Sequence, residues 1–295
     1  MTNKTARLIG ADWGSSSLRV FRIAADGAIL EARRAADGVF AASESFDARL
    51  RRALGDWMVE DVPILLCGMV GSDRGWRDAS YIPAPAAAGD LAGGLVPVPF
   101  ARPAWIVPGV SCALGETREV MRGEETLIAG LLAQARLDRA TICLPGTHGK
   151  WVDIVDNRII GLRTYMTGEI RAALLERGAL ATGIGQQPSA EAFAQGLRSA
   201  AAGVTHALFQ ARARRLLGTL APEHTAAFVD GVLVGDEVAR EPAPSPVLVA
   251  RGAIAETYAA ALTLHARTAR TVDPEPLAAR GLLELARQAG IVPPA

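Results

Sequence analysis

Four short segments of this 295-residue chain carry residue types and spacings that could bind a polyphosphate or move a proton. The first is Asp12-Trp13-Gly14-Ser15-Ser16-Ser17. It follows an apolar run, so Asp12 stands at a strand end, where a carboxylate can meet a divalent cation or its water shell. Gly14 lets backbone approach closely, and successive N–H groups with three hydroxyls can hold phosphate oxygens. The competing reading is a Ser-rich hairpin turn capped by Asp12. The second segment, Pro145-Gly146-Thr147-His148-Gly149-Lys150, joins two glycines, a hydroxyl and a cation, the ingredients of a phosphate cradle. It is not a Walker A loop, which would need Gly at Leu144 and Ser or Thr at Trp151. Gly183-Ile184-Gly185 makes no dinucleotide fingerprint, because it runs into Pro188 and follows no strand. His148 alone reads more readily as a hydrogen-bonded loop residue than as a general base.

The third segment, Arg122-Gly123-Glu124-Glu125-Thr126, opens an apolar helix. Carboxylates in a first turn suit the helix dipole, which is the plain explanation. A phosphoryl acceptor hydroxyl also needs a carboxylate to orient it and take its proton. Adjacent helical residues point about 100° apart, so only one of Glu124 and Glu125 could readily do so. The fourth is the run Pro246–Ala250 followed by Arg251-Gly252, a strand entering a helix through a glycine against which a nucleoside could lie. Gly231 and Gly235, beside Asp230 and Asp236, fall inside a helical stretch, where glycine costs about 1 kcal/mol relative to alanine and so marks close packing or a ligand.

The elements that must position these segments alternate between strand and helix, which indicates an α/β protein. Strands are expected at 7–12, 18–24 and 29–34, the last after an Asp26-Gly27 turn, and at 63–70, an apolar run of the kind buried on both faces. Helical spacing covers 47–58, and 77–104 reads as irregular, ending at a short strand, 105–107. A helix is expected at 124–136, then strands at 141–144, 150–155 and 158–165. Helices follow at 168–177, 189–201, 204–217 and 223–239, then a strand at 246–250, a helix at 254–268, a strand at 269–272 and a closing helix at 275–289. The order strand, Gly loop, strand, turn, strand occurs at 7–34 and again at 141–165. Two such units face to face would cradle a polyphosphate.

Bulk composition narrows the partners. Lys+Arg and Asp+Glu both number 31, so the formal charge is zero, which argues against a nucleic-acid or anionic-membrane binder. Cys67, Cys112 and Cys143 are an odd, widely spaced set without disulfide or metal-ligand spacing, as for core thiols in a reducing compartment. Met1–Arg7 has no apolar stretch of a secretory signal, and Ala84–Leu114 is broken by Asp90, Arg102 and repeated prolines, so no membrane helix is expected there. The expected setting is cytoplasmic. Oligomeric state is open, a homodimer being one option.

Taken in order, ADWGSSSLR (11–19), CGMVGSDRGW (67–76), VMRGEET (120–126), LPGTHGKW (144–151), RTYMTGE (163–169) and GVLVGDEVA (231–239) resemble the 2-dehydro-3-deoxygalactonokinases over about 7–290. The resemblance implies the actin/hexokinase/Hsp70-like ATPase superfamily: a two-lobed actin-like (ribonuclease H-like) fold, each lobe a mixed sheet flanked by helices, with ATP in the cleft. The lobes would be 1–110, with the first phosphate loop, and 111–295, with the second loop and the adenosine site; the last helix is free to return to the first lobe. The implied reaction is ATP-dependent phosphorylation of the C6 hydroxyl of 2-dehydro-3-deoxy-D-galactonate. Asp12, Gly14, Ser15, Ser16 and Ser17 match the first phosphate motif, and Gly146, Thr147, His148 and Lys150 the second.

Arg251 and Gly252 stand where the adenosine motif is expected, with Arg in place of the usual small residue. The second phosphate motif lacks the acidic residue of actin-like relatives. By analogy, Asp12 would tether Mg²⁺, and Glu124 or Glu125 would be the base. Gly71, Ser72, Arg122 and Arg163 are the candidates for holding the substrate, the arginines through its carboxylate. Rival readings are a kinase for another keto-deoxy sugar acid or for pantothenate, a non-metabolic actin-like ATPase, and a regulatory ATP-binding module.

Overall fold

The computed structural model describes residues 5–41, 44–177, 180–181 and 185–294, so Met1–Lys4 and the Gly183-Ile184 pair lie outside the described residues. β1 (Ala6–Trp13), β2 (Leu18–Ala24) and β3 (Ile29–Ala35) form an antiparallel meander in which Asp12 faces Arg19. The Asp26-Gly27 turn joins the last two, with Gly27 at φ 82°. Ser45 caps α1 (Phe46–Leu54) by accepting from the Ala48 N–H. The helical spacing continues to Met58, but Gly55 at φ 53° ends the helix and residues 55–59 tighten into a 3₁₀ turn. β4 (Ile64–Cys67) is wholly buried, as its unbroken apolar run requires, and a 3₁₀ turn at Met69–Gly71 follows it.

The stretch expected to be irregular contains β5 (Tyr81–Pro83), α2 (Ala88–Gly93) and β6 (Val96–Pro97) before β7 (Ala104–Ile106). A hairpin absent from the sequence expectation comes next, β8 (Gly109–Leu114) and β9 (Thr117–Met121), turning at Gly115 with φ 60°. Its strands are largely half-exposed, so the apolar alternation that betrays a strand is weak. α3 (Glu124–Gln134) leads to β10 (Arg139–Leu144), β11 (Gly149–Val155) and β12 (Arg158–Tyr165); Asp156 and Asn157 at φ 49° and 63° make the last turn. The remainder is α4 (Thr167–Glu176), α5 (Ala190–Ala200), α6 (Val204–Leu216), α7 (Thr225–Arg240), β13 (Val247–Val249), α8 (Gly252–Leu264), β14 (Arg270–Val272) and α9 (Pro274–Gln288). α8 stops short of the expected end because Ala266 takes φ 56°.

Three sheets form among the described residues: β3-β2-β1-β4-β7-β6, β12-β11-β10-β13-β14 and the small β5-β8-β9. The first two share one plan. A meander of three strands is followed by two further strands, β4 and β7 parallel to β1, or β13 and β14 parallel to β10. The loop duplication seen in sequence is therefore a duplication of topology. The chain divides into two compact units, one of 1–139, 153–162 and 273–295 and one of 140–152 and 163–272. Leu50, Leu54, Trp13, Trp57 and Ile64 anchor the core of the first. Phe228, Val232, Trp151 and Leu248 lie in clusters of the second.

Each unit also has a helix pair packed backbone to backbone. A β-carbon at Gly281 of α9 would come 1.9 Å from the Thr126 carbonyl oxygen of α3, and one at Gly130 would come 2.1 Å from that of Leu277. In α5 and α7, Gly196 and Gly231 meet the carbonyls of Phe228 and Phe193 at 2.0 Å each. Close packing is thus the reason for Gly231, and Gly235 similarly abuts Leu197. Among the described residues no helix is long and apolar enough to cross a membrane.

Candidate functional site

In the first unit the 12–17 loop is a tight hairpin turn, Gly14 N–H donating to Ser17 O at 2.9 Å, with Ser15, Ser16 and Ser17 exposed. Asp12 is paired with Arg19, its partner across the hairpin. The chain beyond β3 braces this turn from behind. Val39 N–H donates to Gly14 O at 2.9 Å, Phe40 N–H to Ser15 O at 3.3 Å, and a β-carbon at Gly38 would lie 2.1 Å from Ser15 O. That brace is held by Arg49, which is buried, donates to the Asp37 carboxylate at 2.9 Å and to the carbonyls of Asp37 and Gly38, and lies over the Trp13 ring. Burial works to raise the Asp37 pKa, but hydrogen bonds from Arg49 and Arg52 outweigh it and hold the carboxyl below its ordinary value.

Beneath the turn lie two glycines with left-handed backbone. Gly68 has φ 91° and its β-carbon would reach 2.8 Å from Trp13 O; Gly123 has φ 108° and would reach 3.3 Å from Gly68 Cα. The start of α3 is thereby set against the ends of β1 and β4. Glu124 Oε2 accepts from Arg122 N–H at 3.1 Å, and Glu125 Oε2 from Gly123 N–H at 2.6 Å. Glu125 Oε1 accepts from the Thr126 hydroxyl at 3.0 Å. Glu125 is fully buried, Glu124 only partly. Burial, then the charge of Glu124, pushes Glu125 up to about 8. Burial first, then Asp12 and Glu125, raise the Cys67 thiol well above its usual range, which places both carboxylates around β4's last residue. Gly71 and Ser72 are buried, and the Gly71 position lies directly on Arg122.

In the second unit the 145–150 loop rests on α4. A β-carbon at Gly168 would come 2.3 Å from Gly146 O, Glu169 N–H donates to Thr147 O at 3.0 Å, and His148 Nε2 lies 2.5 Å from Glu169 Oε2. Lys150 is buried and donates to His148 O at 3.4 Å. Below the loop sits Glu237 of α7, 1 % exposed. It accepts from Trp151 Nε1 and from the Tyr258 hydroxyl, each at 2.8 Å, and from Thr167. Burial raises its pKa against the pull of these three donors.

A cavity of about 290 Å³ opens beside the loop, with Gly146, Thr167 and Gly168 on one wall, Ala253, Ile254, Thr257 and Tyr258 of α8 on another, and Val234 and the Arg171–Asp230 ion pair completing it. Arg251 and Gly252 are exposed at the α8 N-terminus, directly before the lining residues, with Gly252 at φ 61°.

The structure thus gathers Asp12, Gly14–Ser17, Gly71, Ser72, Arg122, Glu124 and Glu125 in one unit, and Gly146, Thr147, His148, Lys150, Arg251 and Gly252 in the other. Arg163 stands apart from the cavity wall: Nε donates to both Glu241 oxygens at 2.9 and 3.0 Å and Nη2 to Oε2 at 2.8 Å, and Glu241 also accepts from Tyr165. Sequence reasoning missed Glu237, the Arg171–Asp230 pair and the Arg49 brace. A carboxylate flanked by Val234 and Val238 in a mostly apolar helix was the available signal for Glu237. Among the described residues no cluster of three or more His, Cys, Asp or Glu is present. Asp12, a partly buried carboxylate at the end of β1, is the kind of oxygen ligand that Mg²⁺ takes alongside phosphate oxygens and water.

Comparison with known proteins matches the family model of 2-keto-3-deoxy-galactonokinase to residues 12–285. A Rhizobium meliloti (strain 1021) protein named "Probable 2-dehydro-3-deoxygalactonokinase DgoK1" is 34% identical over 297 residues, 94% of this chain and 95% of that one. The Escherichia coli (strain K12) 2-dehydro-3-deoxygalactonokinase is 38% identical over 239 residues, 80% of each chain. The crystal structure of a Sinorhizobium meliloti protein named for the same kinase superposes with a TM-score of 0.90 at 34% identity, covering 98% of both chains. The ADPNP-bound activator of 2-hydroxyisocaproyl-CoA dehydratase from Clostridium difficile shares the fold alone, with a TM-score of 0.53, 12% identity and 96% coverage of both chains. The α/β, actin-like fold class expected from the motifs holds. The chain belongs to the 2-keto-3-deoxy-galactonokinase family.

Proposed function

We propose that this chain transfers the γ-phosphoryl group of ATP to the C6 hydroxyl of 2-dehydro-3-deoxy-D-galactonate, giving the 6-phosphate in galactonate breakdown. The observation that carries the nucleotide half is the cavity of about 290 Å³ whose wall is shared by Gly146 of the phosphate loop and the start of α8. Its lining is mostly apolar with a few placed polar groups, as a nucleoside site requires. The Gly146–Lys150 loop takes phosphate oxygens there, and Gly252 lets the nucleoside approach the backbone. The names of the two curated relatives support the acceptor half.

The first unit supplies the acceptor chemistry. The exposed Ser15–Ser17 hydroxyls and backbone bind phosphate oxygens, and Asp12 would hold Mg²⁺. Bound there, the ion would neutralise charge on the phosphate chain. Glu125 takes the C6 hydroxyl proton; its raised proton affinity suits it to that task better than an ordinary carboxylate. Glu124 raises that affinity and ties down the Arg122 N–H. Most of the rate gain then comes from positioning and electrostatics. Cys67, Cys112 and Cys143 are free and buried, which supports a reducing, cytoplasmic setting.

The test is ADP release coupled to a panel of acceptors: 2-dehydro-3-deoxygalactonate, its gluconate epimer and pantothenate. The galactonate-derived acid should give the highest kcat/KM. Equal or better turnover of another acceptor would reassign the substrate, and ATP turnover indifferent to every acceptor would favour a non-metabolic ATPase.

A further inference from the structure

Arg122 lies in the first unit, where β9 gives way to α3. Its guanidinium sits over the Tyr81 ring, 4.4 Å from the centroid, and Nη2 donates to the Ala79 carbonyl at 2.6 Å. Nε and Nη1 are buried and have no hydrogen-bond partner, and no carboxylate pairs with the group among the described residues. Beside it, Ser72 is only 6% exposed, and its hydroxyl is likewise buried without a partner. The two are packed through Gly71: a β-carbon there would come 2.9 Å from Arg122 Nη1 and 2.7 Å from Ile106. Ala79 N–H donates to Gly71 O at 2.9 Å, and Arg122 returns to Ala79 O, so the turn and the arginine are fastened to one strand of backbone.

A buried guanidinium with two idle donor nitrogens, next to a buried idle hydroxyl, is a standing cost to the folded protein. The cost is removed when an anion with several acceptor oxygens enters. Arg163 offers the contrast, since Glu241 already occupies its donors. Because a neutral hydroxyl cannot offset a buried cation, the ligand that completes Arg122 and Ser72 carries charge.

We infer that Arg122 and Ser72 are the subsite for the carboxylate of the acceptor. This deepens the kinase reading and rests on it for the acceptor's identity. The same turn presents the acid-binding cation at 122 and the proton-accepting Glu125, so one short segment fixes both ends of the transfer.

The experiment is titration calorimetry of the full chain with 2-dehydro-3-deoxygalactonate and, separately, with ADP, alongside steady-state kinetics. Arg122→Met should raise KM for the acid about 100-fold, as loss of charge-assisted hydrogen bonds predicts, with KM for ATP unchanged. Arg122→Lys should fall between, keeping the charge without the planar fork. Ser72→Ala should weaken acid binding roughly tenfold. These last two variants keep the test alive if Arg122→Met does not fold. Wild-type acid affinity in the arginine variants overturns the subsite while full turnover leaves the kinase reading standing. Acid binding that depends on Arg122 without any turnover does the reverse. A wild-type chain that binds no acid overturns the subsite, and parallel losses of acid affinity, ADP affinity and Tm reduce Arg122 to a structural role and overturn it as well.

Discussion

Under the proposed mechanism Glu125 is buried and must still ionise, and the two demands meet near neutral pH. With its pKa pushed up to about 8, it is largely protonated at pH 6 and cannot accept a proton there. If it takes the C6 hydroxyl proton, kcat should climb with pH and level off above about 8. Glu125→Gln should lower kcat by about 10²–10⁴ and abolish that limb. Glu124→Gln, which removes the neighbouring charge, should keep the limb and move it to lower pH. A limb that persists in Glu125→Gln, or a larger kcat loss in Glu124→Gln, transfers the role. The same residue has a signature in stability. A carboxyl raised above its unfolded value favours folding fully below that value, and the benefit is lost as pH rises through its folded pKa. Urea unfolding of the wild type should therefore weaken from pH 5 to pH 8 by on the order of a few kcal/mol, and Glu125→Gln should flatten that decline.

Two kinds of glycine contact act at the scale of elements. Gly281 and Gly231 let paired helices touch through their backbones. Gly281→Ala or Gly231→Ala must separate α3 from α9 or α5 from α7, costing about 1–3 kcal/mol or more in chemical unfolding. A stability unchanged within error would mean the helices do not pack as described. Gly38 acts on the 14–17 turn instead: its β-carbon would overlap Ser15 O and Ser16 Cα, so Gly38→Ala must displace that turn. A displacement of about 1 Å predicts a loss of roughly 10² in kcat. Unchanged kinetics in the folded variant would show that the brace does not set the loop.

These elements were unequally legible in the sequence. The meanders and their loops could be read because Asp-Gly and Asp-Asn turns and apolar runs are local signals. The β8–β9 hairpin could not, since it is half-exposed and lacks a clean alternation. Arg49 and Glu237 escaped for a different reason: charged residues on helices read as solvent-facing until the neighbours that bury them are known.

At the scale of the molecule, equal numbers of acidic and basic residues leave no long-range field to draw in an anionic substrate. Both ATP and the sugar acid must be captured by local groups, which salt screens less once they are buried. The value of kcat/KM for either substrate should therefore change by less than about threefold from 20 to 200 mM salt, unlike steered association, which falls steeply over that range. A steep fall would reveal a charged path that the composition hides. The duplicated strand plan explains how a chain of this length provides two glycine loops, and the later use of α9 to complete the first unit has no marker in composition.

The most direct test of phosphoryl transfer is phosphorus NMR of the wild-type enzyme with ATP and 2-dehydro-3-deoxygalactonate. A new phosphomonoester signal split by the two C6 protons and growing in step with ADP is expected. Accumulation of inorganic phosphate in place of that ester, at a rate indifferent to the acid, would contradict it.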